Sequence, residues 1–278
     1  MTRLVTEWIR DLEETAAVRD EELRRLTGAG YVKLAALTAG VPEELIIKAS
    51  EEYKVAVVPV TSGLGEIESF PQAVSAVTVA MGFDTFVTEH TDVSGFYEAS
   101  CKGADIVYMA DDDRYIAVNM RTGKIGENDI STAGGYAQLL IQLADRKGKR
   151  PESGSTAVLG FGRIGSIMAG YLREKGIVPA VYDKDVNRKD IVLKQGFEWM
   201  ERIDRLKEYP YILDGTSEGG WLSRSMLSEN VLMAAPGIPL SLDDEARTEL
   251  EGRYLHDMLE TGTAVMMGYA LAPAEKQG

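Results

Sequence analysis

The sequence predicts an α/β protein of two domains, and three observations predict it. The chain has 278 residues, a length that suits two cores better than one or three. Its first half alternates short apolar runs with helical patterns, the signature of a parallel sheet. Its second half opens on an apolar run that ends in glycines at positions 160, 162 and 165.

Residues 3–26 carry apolar side chains at Leu4, Trp8, Leu12, Ala16, Leu23 and Leu26 among charges, an incomplete helical stripe. The segment 27–30 breaks it. A second helix is expected over 31–37. A third opens at Pro42, with Glu43 and Glu44 near the positive end of its dipole. Strands are expected over 55–60, 83–88 and 106–110, with helices over 70–81 and 92–102 between them. Asp92 is the expected cap of the later helix. Residues 115–119 and the turn at 121–123 read as an edge strand or hairpin. A helix over 132–146 ends in the basic break 147–151, where Pro151 marks the expected domain boundary.

A formal charge of −14 argues against nucleic acid and anionic membrane as partners. With one cysteine, Cys101, no disulfide framework within the chain is available. Its apolar helical setting predicts a buried packing thiol. No stretch has the length of a membrane span and the first residues are charged throughout, so the expected location is the cytoplasm. Self-association into a homo-oligomer is left open.

The strand expected at 155–159 runs directly into Gly160-Phe161-Gly162-Arg163-Ile164-Gly165. A helix follows, then a second strand over 179–182 that ends at Asp183. Gly160 permits a tight turn, Gly162 lets a pyrophosphate approach the backbone, and Gly165 lets the helix pack on the strand. The helix N-terminus offers N–H donors to the phosphates. Asp183 is placed to accept hydrogen bonds from ribose hydroxyls and to repel a 2′-phosphate, which favours NAD over NADP; Lys184 and Arg188 weaken that preference. The predicted fold is therefore an N-terminal helical segment plus small parallel-sheet domain (1–150) and a C-terminal Rossmann domain (151–278). Strands at 211–214, 231–235 and 253–256 complete the latter. The loops holding Thr216 and Pro236 are expected to flank the nicotinamide. The apolar helix expected at 262–271 reads as packing, with a return to the domain interface as the alternative.

Three loops leave one edge of the first sheet, at 61–66, 89–94 and 111–113. Ser62 and Glu66 are candidates to bind a carboxylate or an amine. Asp111, first after its strand, is the candidate to hold an ammonium or take its proton. Asp112 and Asp113 read as solvated turn residues, and no metal site is expected. The two histidines, His90 and His256, read as packing or surface residues, as do Trp8, Trp199 and Trp221.

The runs PVTSGLGEIESF (59–70), DVSGFYEA (92–99), GADIVYMADDDRYIAVNMRTGKIGEN (103–128), APGIP (235–239) and GTAVMMGYAL (262–271) resemble the PylD family, the dehydrogenases of pyrrolysine biosynthesis. The resemblance implies NAD-dependent oxidation of the terminal amine of L-lysine-Nε-3-methyl-D-ornithine. The imine is hydrolysed, ammonia leaves, and the aldehyde closes to the pyrroline ring of pyrrolysine. It implies a small-molecule isopeptide as partner and assigns Ser62 and Asp111 to substrate holding. Asn119, Asn128 and the Leu4 region follow as further substrate contacts, the first helix as a closing lid. Leu64 departs from the polar residue that related sequences carry there. Another two-domain NAD-dependent amine or amino-acid dehydrogenase, or a non-enzymatic NAD-responsive protein, remains as an alternative.

Overall fold

The computed structural model describes residues 4–65 and 67–273. The chain forms two compact units. The first gathers residues up to 25, 29–135 and those from 258 on; the second holds 26–28 and 136–257.

In the first unit, β1 (Lys54–Val58), β2 (Asp84–Val87), β3 (Ile106–Ala110), β4 (Tyr115–Asn119) and β5 (Ile125–Glu127) form one sheet, ordered β2-β1-β3-β4-β5. β1 pairs in parallel with β2 and β3, while β4 and β5 are antiparallel additions. Strand β1 is buried on both faces. Val55 and Val57 face the main core, and Ala56 and Val58 face the layer of α6 (Asp92–Cys101). That is why it reads as an uninterrupted apolar run. The main core also takes up α3 (Tyr31–Ala39), α4 (Glu43–Glu52) and α5 (Phe70–Ala80). The expected first helix is two, α1 (Thr6–Ile9) and α2 (Leu12–Thr27). Cys101 is exposed, contrary to expectation, because α6 turns Gly95 and Ala99 inward.

The centre of this unit is α11 (Glu260–Leu271). Every residue of it except Tyr269 is buried. Close packing demands glycine: a Cβ on Gly268 would come 2.6 Å from the Ala35 carbonyl oxygen, and one on Gly126 of β5 would meet the Met266 oxygen at 2.1 Å. A helix without a polar face must be covered all round.

The second unit is a parallel sheet of six strands, β6 (Thr156–Leu159), β7 (Ala180–Tyr182), β8 (Glu198–Trp199), β9 (Tyr211–Asp214), β10 (Leu232–Ala234) and β11 (Tyr254–Leu255). Their order, β11-β10-β9-β6-β7-β8, reverses direction between β6 and β9, the doubly wound Rossmann arrangement. α8 (Arg163–Glu174) follows β6 and buries Met168, Ala169 and Leu172.

The division of packing differs from the boundary expected at 150. It falls inside α7 (Asn128–Arg146), at Gly135 and Tyr136. Gly135 lies against Thr261 and Val265 of α11, whereas Gln138 accepts a hydrogen bond from Tyr171 of α8. The basic, proline-marked segment ends the helix without separating the cores. α11 likewise belongs to the first unit, since Ala264, Met266, Met267 and Ala270 complete its core.

Candidate functional site

Among the described residues no group of three or more metal-ligating side chains occurs, and no helix is long and apolar enough to cross a membrane. What the fold does present is two sheet edges where loops collect.

At the carboxyl edge of β6 the three glycines have three distinct tasks. Gly160 sits at φ +78, donates its N–H to the Tyr182 carbonyl at 2.8 Å, and leaves little room beside Gly215. A Cβ on Gly165 would lie 1.8 Å from the Gly160 oxygen, so α8 closes on the turn only with glycine there. Gly162 differs: nothing lies within 4 Å of a Cβ built on it. Its φ of −80 and ψ of −157 suit any residue, so the protein itself does not require glycine at 162. Gly162 is also the N-cap of α8 and brings no side chain to satisfy the first-turn amides. Open space, a helix N-terminus and an absent cap make a cradle for an anion. The Phe161 ring is buried edge-on against Phe197 at 5.8 Å, so only its backbone belongs to the turn. Arg163 is exposed and Ile164 half-buried.

Asp183 follows β7. Its Oδ2 accepts the Phe161 N–H at 2.6 Å and its Oδ1 the Asp185 N–H at 2.8 Å. Each oxygen keeps a further lone pair. Lys184 is ion-paired with Glu218, and Arg188 lies 3.8 Å from Asp185, so both nearby cations already face carboxylates. At the end of β9, Asp214 is wholly buried. Its Oδ1 accepts both the Thr216 N–H (2.9 Å) and the Thr216 hydroxyl (2.7 Å). Burial pushes the Asp214 carboxyl above its ordinary range, against the opposing pull of hydrogen bonding and of His256. Half-buried Pro236 opens the loop after β10, which packs closely on the loop after β9: a Cβ on Gly237 would meet the Thr216 oxygen at 2.0 Å.

At the carboxyl edge of the first sheet, carboxylates tie the loops. Asp92 does not cap α6. It stands at φ +55 and turns its side chain back to the loop after β1, accepting the Thr61 N–H (2.8 Å) and hydroxyl (2.6 Å). Those bonds hold its carboxyl below the ordinary range. Asp112, expected to be solvated, accepts the Leu64 N–H at 2.7 Å and packs under Gly63. Asp111 is exposed. Its Oδ1 accepts the Asp113 and Arg114 amides and so closes the β3–β4 turn. Ser62 and Leu64 are exposed on the tied loop; Glu66 lies outside the described residues. His90 is tied to Glu98, which also pairs with Lys102.

Two candidates have structural work instead. Asn119 is buried, donates to the Ala270 carbonyl at 3.0 Å, and accepts the Arg121 and Thr122 amides, so it pins α11 to the hairpin. Leu4 packs against the main core. Asn128, at the start of α7, accepts the Thr132 hydroxyl at 3.1 Å and lies against Gly262. The sequence offers no role for Asp214 and reads Asp112 as solvated and His256 as packing or surface; the available signal is their place at or just beyond the carboxyl ends of β9, β3 and β11.

The N-terminal domain of pyrrolysine biosynthesis protein PylD matches residues 9–126. A pyrrolysine synthase of Methanosarcina acetivorans is 31% identical over 268 residues, covering 96% of this chain and 98% of its own. One of Methanosarcina barkeri is 33% identical over 222 residues, 78% of this chain and 81% of its own. The chain belongs to the PylD family. Among solved structures, the bifunctional methylenetetrahydrofolate dehydrogenase/cyclohydrolase of Thermoplasma acidophilum superposes with a TM-score of 0.51 at 12% identity, covering 90% of this chain and 95% of that one. A shikimate dehydrogenase of Aquifex aeolicus gives 0.50 at 13% identity, over 80% and 91%. At such identities the likeness shows the fold alone.

Proposed function

We propose that this chain is an NAD-dependent dehydrogenase that oxidises the terminal amine of L-lysine-Nε-3-methyl-D-ornithine. Ammonia is then lost and the resulting aldehyde closes to pyrrolysine. Membership of the PylD family supports the substrate class. The observation that carries the cofactor is Gly162, whose side of the turn is open although no neighbour in the protein asks for glycine. A pyrophosphate fits that space and meets the amides of α8. Asp183 has lone pairs left for ribose hydroxyls, and the pairing of Lys184 and Arg188 with carboxylates leaves a 2′-phosphate poorly served, which favours NAD.

When bound, NAD supplies the hydride acceptor. The chain's own residues do the rest. Gly160, Gly162 and Gly165 set the backbone that grips the phosphates, while the loops of Thr216 and Pro236 bound the far half of the edge. In the first unit, Asp92 and Asp112 hold the loop that presents Ser62. Asp111 spends one oxygen on its turn and offers the other to an ammonium group. Asn128 and Leu64 complete the proposed substrate contacts. The high negative charge suits a free cationic amine in the cytoplasm and not nucleic acid.

The test is to incubate the purified protein with NAD and the isopeptide, following NADH by absorbance and pyrrolysine by mass. Absence of both, with folded protein, refutes the reading. Asp183→Ala is expected to weaken NAD binding about tenfold, or ~1.4 kcal/mol; equal affinity in calorimetry refutes the ribose assignment.

A further inference from the structure

His256 directly follows β11 at the carboxyl edge of the second sheet, half-buried. Its Nδ1 lies 2.7 Å from the Ala235 carbonyl oxygen. A carbonyl can only accept, so Nδ1 carries the hydrogen, and the neutral ring has its lone pair on Nε2. Asp214 stands on the same edge, wholly buried, and the charges of the two residues act on each other. The buried hydroxyl of Ser241 lies beside the carboxyl and, with Thr216, draws its pKa down against the effect of burial. An asparagine at 214 would serve Thr216 equally well through its own oxygen. A buried carboxylate is costly, and the turn does not require it.

The place on the sheet gives this pair its meaning. The phosphate cradle lies past β6 and the ribose acceptor Asp183 past β7. A dinucleotide held by that cradle and by Asp183 would have the ends of β9, β10 and β11 on its other side. Asp214, Ala235 and His256 stand at the ends of those three strands.

We infer that His256 Nε2 is the base that takes the proton from the substrate's terminal ammonium, with Asp214 as a positioning residue and counter-charge for the imidazolium that results. The inference rests on the hydride-transfer reading above. The N–H bond of the ammonium breaks and its proton goes to Nε2, which leaves a neutral amine. The adjacent C–H bond then breaks with its electron pair, and that hydrogen passes to NAD as hydride. The nitrogen lone pair forms the C=N bond of an iminium. The sum is ammonium plus NAD going to iminium, NADH and one proton held on His256.

His256→Asn keeps a donor for the Ala235 carbonyl and removes the base. It is expected to slow NADH formation from the isopeptide about 100-fold, a typical loss for a general base, with KM and NAD affinity unchanged. Added imidazole should restore a large part of the rate of His256→Ala, a rescue that a purely structural residue would not show. Asp214→Asn should lower kcat with KM unmoved. An independent readout needs no turnover: nitrogen-15 NMR of the two histidines, assigned with His90→Gln, should show His256 as the Nδ1–H tautomer. Wild-type rate in His256→Asn, failure of imidazole to rescue a folded His256→Ala, or an Nε2–H tautomer overturns the inference while leaving the hydride reading intact. A wild-type protein that makes no NADH overturns both.

Discussion

The two sheets present carboxyl edges built on opposite principles. In the second unit the edge is shaped by backbone, with Gly160 and Gly165 packed to contact and Gly162 left open. In the first unit it is shaped by side chains, with Asp92 and Asp112 fastening the loop after β1 from two neighbouring loops. The contrast teaches that a phosphate grip, which uses amide donors, can be specified by glycines alone. On the proposed reading, a site for a charged amine needs side chains held in place, and here Asp92 and Asp112 hold the loop that carries Ser62.

The sharpest way to break the comparison is Gly165→Ala. Its Cβ would collide with a carbonyl rather than a yielding side chain, so a loss of about 3 kcal/mol or more in urea unfolding is expected, with NAD binding gone. Gly162→Ala should separate grip from fold. Stability is expected to stay within ~0.5 kcal/mol, while NAD affinity in calorimetry falls at least about tenfold; a stability loss like that of Gly165→Ala would show that both glycines merely pack. In the first unit, Asp112→Ala frees the Leu64 amide and should reduce kcat/KM for the isopeptide about fivefold, roughly 1 kcal/mol. NAD affinity should not move, and a change in it would mean that the two edges do not divide the work as described.

The smallest effect concerns Asp214. Its folded carboxyl is raised by burial, so the folded state holds the proton more tightly than the unfolded chain. Its contribution is most favourable at low pH and is lost as pH rises through the interval between the unfolded and the raised value. Asp214→Asn should therefore gain stability relative to wild type as pH increases through that interval, by denaturant titration. A difference that does not vary with pH would place the carboxyl in water.

Much of the second unit was legible because glycine spacing, strand ends and a terminal acid are each dictated by local geometry. Gly160, Gly165 and Asp183 stand where the pattern put them. In the first unit the loops were legible but their fastenings were not. Asp111, Asp112 and Asp113 are adjacent and chemically alike, and only the closed β3–β4 turn decides that the second of them reaches back to Leu64. Asp92 looked like a cap because helices often begin at such a residue, yet the nearer demand was the unsatisfied Thr61 amide. Asn119 was misread since a polar residue at a strand end looks available until α11 is laid across it. The place of α11 was hidden for a related reason: a helix apolar on every side does not say which neighbours cover it.

That last helix has a consequence for biogenesis. The ribosome releases the strands of the first sheet long before residues 260–271, yet its main core is incomplete until they arrive. The second unit, residues 26–28 apart, is contiguous from 136 to 257; it is made in between and is free to fold first. The early half must then wait with apolar surface uncovered. A chain stopped just after β11 would carry a finished second unit joined to an unfinished first one, a natural target for chaperones and proteases.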